Sequence, residues 1–210
     1  MWVVKLGGSL ADSESLIPWL QALARTDAVI VPGGGPFADQ VRKAQARWRF
    51  DERTAHDMAV LAMRQYGLML AGLGGLRTGT SAAELKAGIR KGQATVWLPL
   101  PENLGAAGIP ASWDVTSDSL AAWLAGQLGA RHLLLVKSVA SPGAEVGCEG
   151  LITDGIIDPA FGSFGTGAHF QCWLCGRDDH HALADALQSP SRYFTRIIAP
   201  SAFPESGNCT

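Results

Sequence analysis

Short runs of valine, isoleucine and leucine alternate almost end to end with stretches whose apolar residues recur at helical spacing. "MWVVKL" reads as a strand and "SESLIPWLQALA" as a helix, and "AVIVPGGG" with "FADQVRKAQARW" repeats the pair. "RTAHDMAVLAMRQYGLMLAGL" is apolar around much of its circumference, which predicts a long, largely buried helix. "SAAELKAGIRKG" then leads into "ATVWLPL", and "SDSLAAWLAGQLGA" into "HLLLVKSV". The strand "HFQCWLCG", the helix "DDHHALADAL" and the closing strand "YFTRIIA" complete the series. Strands apolar on both faces, separated by helices, predict an α/β fold with a mostly parallel sheet covered on both sides. In such folds ligands bind at the carboxyl ends of the strands. Every unusual cluster of this chain lies at such an end.

Composition narrows the function classes. The 210 residues suit a single domain, with two lobes allowed, and at 47% hydrophobic and 17% charged the chain can bury a large core. A net charge of −2 lends no support to nucleic-acid binding, which calls for a basic patch. No apolar run reaches the roughly 18 residues of a membrane span. The first residues already form a strand, so a signal peptide is not expected and the cytoplasm is the expected location. "ASPGAEVGCEG" has the composition of a mobile loop, and "APSAFPESGNCT" that of a frayed tail.

The four cysteines offer one motif, "CWLC", followed by "DDHH". In a strand, residues three apart point to opposite faces, so Cys172 and Cys175 would not converge on a metal. No metal held by the protein is expected.

Four clusters carry chemistry. In "VVKLGGS", Lys5 precedes the glycines, the reverse of the common phosphate loop. Gly7, Gly8 and Ser9 would let backbone amides approach phosphate oxygens, with a helix N-terminus following and Lys5 as a point charge. In "VIVPGGGPFADQV", Gly33, Gly34 and Gly35 form a second anion-binding turn that does not fit a dinucleotide fingerprint. Two phosphate turns on separate strands suggest a donor and an acceptor facing each other. In "SWDVTSDSLAAWLA", Ser117 is the expected N-cap and Asp118 lies in the first helical turn, where an acid either serves the helix or orients Lys5. Thr116 and Ser117 add hydroxyls and Trp113 a ring that would pack on a flat acceptor. Lys137 ends the apolar "LLLVK" and is either solvated or aimed at a ligand. Arg42, Arg47 and Arg49 add positive charge after the second turn, with a solvated helix face as the alternative.

Together these motifs resemble the amino acid kinase superfamily, which includes acetylglutamate, aspartate, carbamate and uridylate kinases. "VVKLGGS" resembles its opening phosphate motif, "VPGGGPFADQVR" its acceptor turn and "TSDSLAAWLA" its catalytic-aspartate helix. The resemblance implies an αβα sandwich over residues 1–200, an acceptor lobe over 1–112, a nucleotide lobe over 113–200 and a tail over 201–210. It implies Lys5 and Asp118 as catalytic residues, with Gly7, Gly8, Ser9 and Lys137 at ATP and Gly33, Gly34, Gly35, Thr116 and Ser117 at the acceptor. ATP and Mg2+ are the implied cofactors, and a homo-oligomer of two or more copies the implied assembly.

Within the superfamily, the short length, "TAHDMAVLAM" and "SWDVTSDSLAAWLA" are most similar to the aminomethylfuran-methyl phosphate kinases of methanofuran biosynthesis, which extend a phosphate monoester to a diphosphate. Kinases of amino acids or uridylate, and non-catalytic oxyanion- or nucleotide-binding proteins on the same fold, are the alternatives. The chain departs from many relatives after Lys137, where Ser138-Val139-Ala140-Ser141 replaces an acidic turn. The second lysine of the amino-acid-specific kinases has no clear counterpart, and "ITDGIIDPAF" stands in its place.

Overall fold

A computed structural model describes residues 1–139, 143–165 and 169–198. Of the expected mobile loop at 140–150, the last six residues instead form a short strand and the start of a helix, while its first three residues and the whole of the tail at 201–210 lie outside the described residues. The first half runs β1 (Trp2–Leu6), α1 (Leu16–Leu23), β2 (Val29–Pro32), α2 (Gly35–Trp48), α3 (Glu52–Gly74), β3 (Arg77–Gly79), α4 (Ala82–Arg90) and β4 (Thr95–Trp97). Then follow α5 (Pro101–Ala106), α6 (Ser117–Leu128), β5 (His132–Lys137), β6 (Glu145–Gly147), α7 (Cys148–Thr153) and α8 (Phe161–Gly165). The chain closes with β7 (Gln171–Gly176), α9 (Leu183–Ala186), α10 (Pro190–Tyr193) and β8 (Thr195–Ile198).

The strands form one eight-stranded sheet in the order β3-β4-β2-β1-β5-β7-β8-β6. All neighbours pair in parallel except β7 with β8. This is the expected mostly parallel α/β sandwich. Alternate residues of each central strand feed opposite cores: Val3, Leu133 and Leu135 pack on one side with α6, while Val4, Leu134 and Val136 pack on the other with Trp19 of α1 and Tyr66 of α3. Burial on both faces explains why these strands are continuous apolar runs rather than alternating ones.

Several expected elements are corrected. The edge strands β3 and β6 are only three residues long and carry no apolar run to betray them. "DDHHALADAL" is not one helix but a 3-10 turn over Asp179–Ala182 followed by the four residues of α9. Its start is pinned by the Asp179 side chain, which accepts from Gly176 N at 2.8 Å, and only Leu183 and Ala186 anchor it to the core. The "GGS" turn opens into a 3-10 turn over Gly8–Leu10, and the first α-helix begins only at Leu16. The triple-glycine turn does open a helix directly, α2.

Candidate active site

Register assembles the charged centre. Lys5 pairs with Leu135 across β1 and β5, so Lys137, two positions on, points to the same face one pleat further along. That face is the one α6 covers. Asp118, in the first turn of α6, lies between the two lysines: Lys5 Nζ is 2.8 Å from Oδ1 and Lys137 Nζ is 2.5 Å from Oδ2, where it donates a hydrogen bond. The Lys5 contact is an ion pair without hydrogen-bond geometry, since Oδ1 accepts no hydrogen bond from the described residues.

Burial and charge compete here. Lys5 is 4% exposed and Asp118 3%. Burial pushes the Asp118 carboxyl up, but the ammoniums of Lys5 and Lys137 outweigh it and hold the pKa below its ordinary value, so the group is ionised at neutral pH. Burial first, and then repulsion from Lys5, bring Lys137 down to about 8 against the pull of Asp118. Two cations and one anion leave a local excess of positive charge. Such a centre attracts a polyanion and is suited to charge that develops during phosphoryl transfer.

α6 is presented by a segment distant in sequence. Its N-cap is Thr116, not the expected Ser117, and Thr116 makes no side-chain cap of its own. Asp158 does the capping instead: its carboxylate accepts from Thr116 N at 3.0 Å, Thr116 Oγ1 at 2.8 Å and Ser119 N at 3.0 Å, and also from the Ser119 hydroxyl. The four backbone amides at a helix start are otherwise orphaned, so this carboxylate fixes the turn that carries Asp118. Asp158 belongs to "ITDGIIDPAF", whose spacing gives no hint of a partner some forty residues earlier.

The two glycine turns meet backbone to backbone. A Cβ on Gly8 would lie 2.5 Å from Gly35 N, and one on Gly33 would run into Gly8 N. Gly33 N donates to Leu6 O at 2.8 Å, tying the turns together. Gly35 has φ +55 above the Tyr66 ring, a conformation that disfavours side chains. Close approach is thus what both glycine clusters are for in the fold, and it places their amides side by side.

Beside the turns opens a cavity of about 360 Å³ lined by Gly8, Ser9, Gly34, Gly35, Thr116 and Ser117 on the sheet side. From α2 and α3 it receives Asp39, Arg42, His56, Ala59, Val60 and Met63. Of the expected site residues, the cavity thus brings together Gly8, Ser9, Gly34, Gly35, Thr116 and Ser117. Lys5, Asp118 and Lys137 form the adjoining charged cluster, while Gly7 and Gly33 are buried behind the turns and do not line the cavity. Arg42 lies over the Trp113 ring, its guanidinium carbon 4.0 Å from the centroid, and Trp113 Nε1 donates to Gln45 Oε1 at 2.7 Å. The guanidinium thereby takes one face of the ring that was expected to stack on a flat ligand. Arg47 turns away onto Trp48, and Arg49 is the left-handed C-cap of α2.

Cys172 packs against the α6-side core and Cys175 lies in the opposite one, so the thiols do point apart. Among the described residues no group of three or more histidine, cysteine, aspartate or glutamate side chains could hold a metal ion. No helix among them is long and apolar enough to cross a membrane.

Comparison with known proteins agrees with this architecture. Residues 1–141 match the model of the amino acid kinase family. A [5-(aminomethyl)furan-3-yl]methyl phosphate kinase of Methanocaldococcus jannaschii is 32% identical over 143 residues. That alignment covers 66% of this chain and 66% of the relative, just under two thirds of its length. UMP kinase from Ureaplasma parvum shares the fold with a TM-score of 0.69 at 17% identity, covering 93% of this chain and 97% of that one. Uridylate kinase from Archaeoglobus fulgidus does so with a TM-score of 0.68 at 15% identity, over 94% and 99%. Aspartate kinase from Synechocystis matches with a TM-score of 0.63 at 16% identity, over 98% of this chain but 40% of its own.

Proposed function

Because the chain belongs to the amino acid kinase family, we propose that it is an ATP-dependent kinase whose acceptor is a small phosphate monoester of the aminomethylfuran-methyl phosphate type. An oxygen of the acceptor phosphate attacks the γ-phosphorus of ATP. The bond to the β–γ bridging oxygen breaks with its electron pair going to ADP, and the product is a diphosphate. No covalent intermediate with the protein is involved.

The observation that carries this reading is the pair of lysines on one buried aspartate. Lys5 and Lys137 stabilise the charge spread over the transferring group, and Asp118 holds both ammoniums in place rather than acting as a base. Amides of Gly8 and Ser9 hold the ATP phosphates, with Gly7 buried behind them as support. Gly34 and Gly35 at the N-terminus of α2 and Arg42 hold the acceptor phosphate, with Thr116 and Ser117 at its side and Gly33, its amide spent on Leu6 O, supporting the turn from behind. Asp118 is ion-paired with both lysines, so Mg2+ would be held by the ATP phosphates, where it would supply further charge neutralisation.

In this scheme the acceptor lobe over 1–112 contributes α2 and α3 and the nucleotide lobe over 113–200 contributes Lys137, while the Gly8–Ser9 turn and Thr116–Ser117 reach across that division. A homo-oligomer is part of the proposal, since Leu61, Leu68 and Leu73 leave α3 with large exposed apolar side chains. The cytoplasm is the compartment that supplies ATP.

The reading is tested by incubating the protein with Mg-ATP and [5-(aminomethyl)furan-3-yl]methyl phosphate, UMP, aspartate, glutamate or carbamate, and following products by phosphorus NMR. Diphosphate formation from the furan phosphate is the expected result. Transfer to an amino acid with none to any phosphate monoester would overturn it.

A further inference from the structure

Helix α3 carries a polar side chain that phosphoryl transfer does not use. His56 is 7% exposed and lines the cavity among Ala59, Val60 and Met63. Its Nδ1 lies 3.3 Å from the carbonyl oxygen of Ser112. A carbonyl only accepts, so this contact requires the proton to be on Nδ1. Burial lowers the pKa of the ring and keeps it neutral, which leaves a bare lone pair on Nε2. Nε2 is buried and has no hydrogen-bond partner among the described residues. A buried acceptor left unpaired is costly, and a ligand with a donor would relieve that cost.

We propose that His56 Nε2 accepts a hydrogen bond from the acceptor substrate, making His56 the residue that selects acceptors carrying a primary ammonium besides the reacting phosphate. This rests on the reading above, whose acceptor carries an aminomethyl group, and names the residue that recognises that amine. The surrounding wall of Ala59, Val60, Met63, Val115 and Leu120 suits a small carbon ring. A lone pair on a residue of such a wall discriminates strongly once a ligand donor reaches it, because an analogue lacking the donor leaves it unpaired. Asp12 and Asp39, exposed carboxylates that line the same cavity and form no ion pair among the described residues, add negative charge to the lining that suits a cation better than a hydroxyl. The only guanidinium in the lining, that of Arg42, is drawn over Trp113. A uracil ring carries no cation, which separates the predicted acceptor from UMP.

The test compares [5-(aminomethyl)furan-3-yl]methyl phosphate with its des-amino analogue, (5-methylfuran-3-yl)methyl phosphate. The wild type should show a KM about 10- to 100-fold lower for the amine, the usual worth of one buried hydrogen bond to a charged group. His56→Ala should erase the difference by raising KM for the amine alone, with kcat little changed, and His56→Gln, which restores an acceptor oxygen, should recover part of it. On the wild-type protein, the 15N resonance of Nε2 should move when the amine phosphate is added without ATP, and stay put with the des-amino compound. Equal use of both acceptors, or an Nε2 signal indifferent to the amine, would overturn the role of His56 while leaving the kinase reading intact. A shifted Nε2 signal with no phosphoryl transfer would support His56 as the amine contact and sink the reaction instead. If His56→Ala does not fold, the NMR titration alone decides.

Discussion

Lys137 and Asp118, nineteen residues apart in sequence, meet at 2.5 Å, and the same carboxylate holds Lys5 through its other oxygen. In the reading proposed above, Lys137 brings a second ammonium to the site from the end of β5, whereas the later segment "ITDGIIDPAF" holds no lysine.

Replacing Lys137 with Met is expected to lower kcat at least about 100-fold with the far-ultraviolet circular dichroism unchanged, since the charge is needed mainly in the transition state. The pH dependence follows from its pKa of about 8. Activity should fall as pH rises through that value and the ammonium is lost. Stability should move the other way: the unfolded lysine keeps its proton up to its ordinary 10.5, so between about 8 and 10.5 the unfolded state binds more protons and this group's contribution to stability rises with pH. Lys137→Arg, which stays charged, should lose the alkaline limb near pH 8. A wild-type rate that is flat to pH 9.5 would count against Lys137 as a charged participant.

Gly8→Ala should be severe for its size. The added methyl would lie 2.5 Å from Gly35 N, backbone that cannot rotate away, so the two turns must separate. A loss of roughly 1–3 kcal/mol in urea unfolding is expected from such overpacking, together with a loss of turnover. Gly126→Ala, in open space on α6, is the control and should be harmless in both respects.

The sandwich, the glycine turns and the strand lysines were legible because each is local: apolar runs followed by Gly7-Gly8 or Gly33–Gly35, with Lys5 in the first and Lys137 ending another. The association of Lys137 with Asp118 was not legible, because it needs the β1–β5 register and the placement of α6 over that face. Asp158 was hidden for the same reason, its partners lying at Thr116 and Ser119. His56 was absorbed into a helix whose pattern says only that it is buried, and burial alone does not reveal an unpaired nitrogen. One warning signal was available: a histidine in a largely apolar helix needs partners, and its spacing from Glu52 and Asp57 does not say whether either one serves.

The thiols of β7 should be inert in the native state. Burial pushes Cys172 up to about 12 and Cys175 well above its ordinary value, so little thiolate exists at neutral pH. Neither should react with an aromatic disulfide reagent until denaturant is added, as peptide mapping of the modified protein would show. Elemental analysis should find no stoichiometric zinc after dialysis. One tightly held zinc per chain would contradict the placement of these two side chains on opposite faces of the sheet.

Asp158→Ala separates support from chemistry. The variant loses an acceptor that serves two backbone amides and two hydroxyls at the start of α6. Hydrogen bonds to a carboxylate and a helix cap each contribute on the order of 1–2 kcal/mol, so a destabilisation of at least about 2 kcal/mol is expected in urea titration. Asp118 sits in the same turn, so its carboxylate should lose its fixed position between the lysines. Turnover should then fall even at temperatures where the variant remains folded. Asp158→Asn keeps an acceptor oxygen and should recover part of both losses. If Asp158→Ala unfolds more easily yet retains full kcat when folded, the carboxylate is a cap and no more, and the position of Asp118 is set by its lysines alone.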